Sequence, residues 1–206
     1  MNKQQVLYIH GGSSYSEYEK FLEHLRTRPL RDLPGDAEPM KKWTKKLRED
    51  LGQDFEVFMP SMPNSQNAKY EEWKICFERH FEYLHDGLIL LGWSQGGYFL
   101  AKYLIENKPP VKIKALFLGA APFAPDDFDG EDGGDFAFDT TKVGELAEKA
   151  ENIVIMHSKD DFVVPFSHGE RFAAALPEAE FVVFEDKNHF LIEEFPELIE
   201  TIKKLA

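Results

Sequence analysis

Gly92-Trp93-Ser94-Gln95-Gly96 follows the apolar run Leu88-Ile89-Leu90-Leu91 and precedes Gly97-Tyr98-Phe99-Leu100-Ala101. This order reads as strand, sharp turn and helix, the setting that lifts a serine hydroxyl above a sheet. Such a turn holds its serine in a sparsely allowed backbone region, and glycines flank it because a Cβ there would strike the neighbouring strand or helix. A serine hydroxyl is a weak nucleophile at neutral pH and needs a base to take its proton. His189, in Asp186-Lys187-Asn188-His189-Phe190, offers an imidazole. Asp160 and Asp161 offer carboxylates able to fix its tautomer and stabilise the imidazolium. Consecutive residues leaving a strand point opposite ways, so only one of the two is expected to reach the ring.

Attack on a carbonyl also creates an oxyanion that wants backbone donors. Gln95 follows the serine at the start of its helix and is one expected source. The second lies in His10-Gly11-Gly12-Ser13-Ser14, where glycines let the backbone approach a substrate; Gly12 is the expected donor and Ser13 the alternative. Trp93, Phe123 and Phe162 are expected to line a substrate pocket beside these groups.

For such distant residues to meet, one scaffold must carry them to one rim. Short apolar or β-branched runs at 6–10, 55–59, 88–91, 115–118, 153–157 and 181–184 predict strands. Amphipathic segments between them, at 40–51, 70–84, 97–107, 143–150, 167–176 and 195–205, predict helices, with a further one near 15–26 ended by Pro29. Trp73, Phe77, Phe81 and Leu84 form one apolar stripe, read as core packing against the sheet. The alternation implies an α/β three-layer sandwich, with an about six-stranded, mainly parallel sheet and helices on both faces. In that architecture ligands gather outside the C-terminal ends of the strands. Ser94, Asp160, Asp161 and His189 each follow a predicted strand at that rim.

Composition narrows the partners. The chain has 206 residues, 43% of them hydrophobic, enough for one filled core and short for two. No repeat or linker divides it, so 1–206 is read as a single domain. A net charge of −13 with scattered Lys and Arg argues against nucleic acid and anionic membrane surfaces. Neither a signal peptide nor a membrane span is expected, and one cysteine, Cys76, fits a reducing compartment, so the expected location is cytoplasmic. His24, His80, His85 and His168 show no metal spacing, and Cys76 lacks a setting that would make a reactive thiolate. No metal and no cofactor are expected.

Taken together, His10-Gly11-Gly12, Gly92-Trp93-Ser94-Gln95-Gly96-Gly97, Asp161-Phe162-Val163-Val164-Pro165 and Asn188-His189-Phe190 resemble the small α/β-hydrolase family that includes retinoblastoma-binding protein 9 and the YdeN-type serine hydrolases. The resemblance spans nearly the whole chain and implies a compact α/β-hydrolase fold with a catalytic triad. It assigns the nucleophile to Ser94, the base to His189 and the acid to Asp161 rather than Asp160. Two departures stand out: 29–39 is longer than a compact member needs, and Asn188 sits where a glycine often precedes the histidine.

These readings predict a cofactor-independent serine hydrolase that cleaves a small carboxylic ester through an acyl-enzyme on Ser94. A thioesterase or amidase would use the same residues, and a protein-interaction module on a hydrolase scaffold is the rival from another class, its partner unknown. Residues 122–139 mix Asp126, Asp127, Asp129, Glu131, Asp132, Asp135 and Asp139 with Phe123, Phe128, Phe136 and Phe138. This segment is expected to form a small lid whose phenylalanines cover an acyl pocket and whose carboxylates disfavour anionic substrates.

Overall fold

Apolar residues of the central strands divide by parity, because side chains alternate across a strand and both faces of this sheet are covered. Leu7, Ile9, Leu88, Leu90, Leu116, Leu118, Ile153 and Ile155 enter one core, while Val6, Tyr8, Ile89, Leu91, Ala115, Phe117, Val154 and Met156 enter the other. A computed structural model describes residues 3–30, 42–126 and 132–206. Its strands are β1 (Gln4–Ile9), β2 (Phe55–Phe58), β3 (Leu88–Trp93), β4 (Ile113–Gly119), β5 (Ala150–Ser158) and β6 (Glu180–Phe184). They pair in the order β2-β1-β3-β4-β5-β6, every pairing parallel.

The helices are α1 (Tyr18–Thr27), α2 (Leu47–Leu51), α3 (Tyr70–Glu78), α4 (Gln95–Glu106), α5 (Ser167–Ala175) and α6 (Pro196–Leu205). Helices α3, α4 and α5 pack on the first core through Trp73, Phe77, Phe99, Tyr103 and Phe172. Helices α2 and α6 cover the second through Leu47, Leu51, Leu198 and Ile202. The three-layer expectation therefore holds. None of the described helices is long and apolar enough to cross a membrane.

Several boundaries differ from the sequence reading for local reasons. The segment expected as a helix over 143–150 is a 3₁₀ helix, Thr140–Glu148, opened by Asp139 accepting from the Thr141 amide. Its buried residues Val143 and Leu146 are three apart, a spacing that lies on one face at three residues per turn. The apolar stripe likewise begins on α3 and ends on a 3₁₀ turn, Arg79–Tyr83. The expected helix over 40–51 is a 3₁₀ turn, Trp43–Lys45, followed by α2, and its first two residues lie outside the described part. Most of 29–39 lies outside it too.

Strand order places the site. From β1 the chain returns to β2 on one side, and β3 lies on the other, so the loops leaving β1 and β3 diverge and open a crevice at their C-terminal ends. The glycine loop after Ile9 and the turn at Ser94 both belong to that crevice.

Candidate active site

Ser94 lies between β3 and α4 at φ 53°, ψ −125°, a left-handed backbone position that a residue with a Cβ adopts only when its surroundings enforce it. The enforcement is visible in its bonds. The Ser94 amide donates to the Gly119 carbonyl at 2.8 Å, and its carbonyl accepts from Gly97 at 2.9 Å. Gly96 is required by close approach: a Cβ there would come within 2.1 Å of the Ile9 carbonyl oxygen on β1. Gly96→Ala should therefore destabilise the protein by about 3 kcal/mol or more, since backbone rather than a flexible side chain blocks the methyl. Urea unfolding measures this directly, and a loss below about 1 kcal/mol would contradict the close approach.

His189 sits on the loop after β6, between two residues of positive φ, Asn188 at 46° and Phe190 at 55°. Asn188 thus occupies a left-handed position, which explains why glycine suits it and why asparagine, which tolerates that region, can replace it. Phe190 holds its strained conformation because its ring is buried against Trp93, Phe195 and Phe184 at centroid distances of 4.8, 5.2 and 5.4 Å. On the imidazole, Nδ1 meets Asp161 Oδ2 at 2.9 Å and Oδ1 at 3.0 Å. Asp161 is buried, and its Oδ1 accepts from the amides of Val163 and Val164 at 2.9 Å each.

Asp160 points elsewhere. Its Oδ1 accepts from the Ser158 hydroxyl at 2.6 Å and from the Asn188 amide at 2.8 Å. Ser158 in turn accepts from the Lys187 amide at 2.9 Å. Asp160 and Ser158 together tie the end of β5 to the histidine loop. Sequence reasoning gave neither of them this role, because nothing in a strand-end serine signals its partner.

Ser94, His189, Gly12 and Trp93 line one cleft of about 740 Å³. Among the described residues no hydrogen bond joins the Ser94 hydroxyl to the His189 ring, a contact that commonly tightens when substrate binds. Of the two possible glycine-loop donors, the Ser13 amide is spent on the Ser65 carbonyl at 2.9 Å, whereas Gly12 forms no such bond among the described residues. A Cβ on Gly12 would lie 2.7 Å from that same carbonyl. The Gln95 amide stands at the start of α4. His10 braces the loop: its Nε2 accepts from the Met62 amide at 2.8 Å, leaving the proton on Nδ1, which donates to the Gly11 carbonyl at 2.6 Å.

Two expected pocket residues are corrected. Phe123 does not line the cleft; it is buried in the first core against Phe172 at 4.9 Å, with the Arg171 guanidinium over its ring. Phe162 does not line it either and is 67% exposed, since Asp161 turns the chain outward there. The lid reading fares similarly in its described part. Phe136 is fully buried among Trp73, Tyr70 and Phe99, and Phe138 packs on Tyr98, so neither covers the cleft. Asp132 binds Ser16 and Lys20, and Asp135 accepts from the Tyr70 amide. Asp127, Phe128, Asp129 and Glu131 lie outside the described residues. A second cavity of about 540 Å³ opens at the opposite rim, around the N-terminal ends of β5 and β6, and among the described residues that line it there is no serine, cysteine or histidine.

Behind the acid lies a second imidazole. His157 Nε2 donates to the Val164 carbonyl at 2.8 Å and stands 3.6 Å from Asp161 Oδ2. His168 accepts from the Phe123 amide at 2.9 Å. Burial lowers the pKa of both below the ordinary histidine value of 6.5. The unfolded chain therefore binds more protons than the folded one just below pH 6.5, and stability present above that pH is lost as pH falls. The slope reaches at most about 1.4 kcal/mol per pH unit for each group. Chemical denaturation between pH 7 and pH 5 should show this decline, flattened in His157→Gln and His168→Gln. An unchanged slope in both variants would contradict it.

The parallel sheet, the strained serine turn and the imidazole–carboxylate pair on neighbouring loops define an α/β-hydrolase. The chain belongs to the serine hydrolase family, whose model matches residues 34–205. Among solved structures it is similar to the ydeN gene product of B. subtilis, at 16% identity and TM-score 0.69 over 98% of each chain. It is also similar to the meta-cleavage product hydrolase CumD from Pseudomonas fluorescens IP01, solved as a mutant complexed with acetates, at 15% identity and TM-score 0.65 over 99% of this chain and 90% of that one. Est1E from Butyrivibrio proteoclasticus, solved with ferulic acid, matches at 15% identity and TM-score 0.56 over 99% and 88%. A search of the curated proteins found no match.

Proposed function

We propose that the protein hydrolyses a small carboxylic ester through an acyl-enzyme on Ser94, with His189 as base and Asp161 as the acid that orients it. The observation that carries this reading is the 2.9 Å contact between His189 Nδ1 and Asp161 Oδ2, made by a ring that lines the same cleft as Ser94. A carboxylate on Nδ1 favours the tautomer with its proton there, leaving Nε2 to accept the serine proton. The Ser94 oxygen then bonds to the ester carbon, and the amides of Gly12 and Gln95 stabilise the oxyanion. Collapse of this intermediate breaks the bond to the alcohol oxygen, which leaves with the proton that His189 returns. Water, deprotonated by the same ring, attacks the acyl carbon; the acid departs and Ser94 regains its proton.

A fluorophosphonate probe tests the reading, because it bonds covalently only to an activated serine. The expected result is labelling of the Ser94 peptide, absent in Ser94→Ala, together with hydrolysis of short p-nitrophenyl esters. Folded protein that neither labels nor hydrolyses acyl esters of graded length would overturn the proposal and favour a binding role for the scaffold.

A further inference from the structure

Basic residues are spread along the chain with one exception. Lys41, Lys42, Lys45, Lys46 and Arg48 put five of its 24 Lys and Arg into one short segment of a chain with net charge −13. That segment borders the active-site cleft, with Lys42, Trp43 and Thr44 in its wall. Lys46 is paired with Glu194 at 2.8 Å, and Arg48 donates to the Val57 carbonyl at 3.1 Å. Lys42 is exposed and has neither an ion pair nor a side-chain hydrogen bond among the described residues. Its backbone is nonetheless fixed, since its carbonyl accepts from Lys45 at 2.9 Å and the next amide, Trp43, donates to Ile192 at 2.9 Å. Among the described residues no aspartate or glutamate lines this cleft.

The neighbouring wall offers donors without acceptors. Tyr8 lines the cleft, is 6% exposed, and its hydroxyl finds no partner among the described residues. Burial pushes the phenol above its usual range, so it stays protonated and able to donate. The buried indole N–H of Trp93 also lacks a partner. Edge-to-face packing of Tyr8 on Trp43 at 5.7 Å, and of Trp43 on Trp93 at 5.1 Å, makes this wall rigid. A carboxylate in the cleft would accept from the Tyr8 hydroxyl and pair with the lysine through charge-assisted hydrogen bonds.

Resting on the hydrolase reading above, we propose that Lys42 and Tyr8 form a subsite for a carboxylate carried by the substrate away from its scissile carbonyl, so that the preferred substrate is an anionic ester. The acidic residues of 122–139 do not oppose this in their described part: Asp126 is held by Arg171, Asp132 by Lys20, and neither lines the cleft. Lys42 thus sets a positive charge in the wall of the cleft, where it attracts an anionic group on a substrate.

Two matched ester pairs test the subsite: p-nitrophenyl valerate against mono-p-nitrophenyl glutarate for an anion on the acyl side, and phenyl acetate against 3-carboxyphenyl acetate for one on the leaving group. Rates are corrected for spontaneous hydrolysis. In at least one pair the carboxylate should raise kcat/KM about tenfold or more, with the preference shrinking as salt is added. Lys42→Met should lower the anionic-to-neutral ratio by about tenfold, Lys42→Arg should keep most of it, and Tyr8→Phe should reduce it by a smaller factor. Ratios near unity in both wild-type pairs, or a ratio unmoved by Lys42→Met, would overturn the subsite and leave the hydrolase reading standing. Failure to hydrolyse any of the four esters would overturn both.

Discussion

Ser94→Ala protein is expected to fold normally and to lose turnover of short p-nitrophenyl esters by a factor of about 10⁴ to 10⁶ in kcat. The fold should survive because the hydrogen bonds that hold this turn are made by backbone. The residue-94 amide donates to Gly119 and its carbonyl accepts from Gly97 and Tyr98, and an alanine keeps all three bonds. Alanine also keeps the Cβ that serine already carries at φ 53°, so no new strain enters. What disappears is the atom that bonds to the acyl carbon. Among the described residues the cleft wall carries four other hydroxyls, on Tyr8, Ser13, Thr44 and Ser61, but none sits at a strand-to-helix turn with a helix amide beside it. Measurement of kcat beside a thermal melt decides the matter: activity above about 1% of wild type in a folded variant would move the nucleophile to another side chain.

The sequence carried much of this, but unevenly. Parallel strands were legible because both faces are covered, so β3 reads as an unbroken apolar run that no exposed segment would contain. That Ser94, Asp160, Asp161 and His189 each follow a strand at one rim was legible from the strand pattern, and the structure places them after β3, β5 and β6. The choice of Asp161 over Asp160 was not, since strand parity says that they diverge but not which one faces the ring. The structure separates them by partner: the Asn188 amide for one, the imidazole for the other. Phenylalanine positions misled for a related reason. Phe123 and Phe136 occur in a polar, acidic segment, and their burial depends on cores formed by Phe172 and Trp73 far away in sequence. Lys42 escaped notice because an exposed lysine has meaning only beside the cleft that it borders.

The second large effect separates those two carboxylates. Asp161→Asn should lower kcat by about 10³ to 10⁴, whereas Asp160→Asn should lower it by less than about tenfold. The argument rests on what each oxygen accepts. Asp161 Oδ1 receives the amides of Val163 and Val164, so an asparagine there must turn its carbonyl oxygen toward them and its NH₂ toward His189. The ring then has to accept at Nδ1, and its own proton moves to Nε2, the nitrogen needed to take a proton from Ser94. The opposite rotamer sets an NH₂ against two amide donors and is costly in a buried site. The favoured rotamer therefore fixes the imidazole in the wrong tautomer while every residue stays in place. At Asp160 one carbonyl oxygen serves both the Ser158 hydroxyl and the Asn188 amide, and asparagine retains that oxygen. Asp160→Ala, which removes it, should loosen the histidine loop and cost more than Asp160→Asn. Steady-state kinetics on the three variants tests the assignment, and a greater loss in Asp160→Asn than in Asp161→Asn would exchange the roles of the two carboxylates.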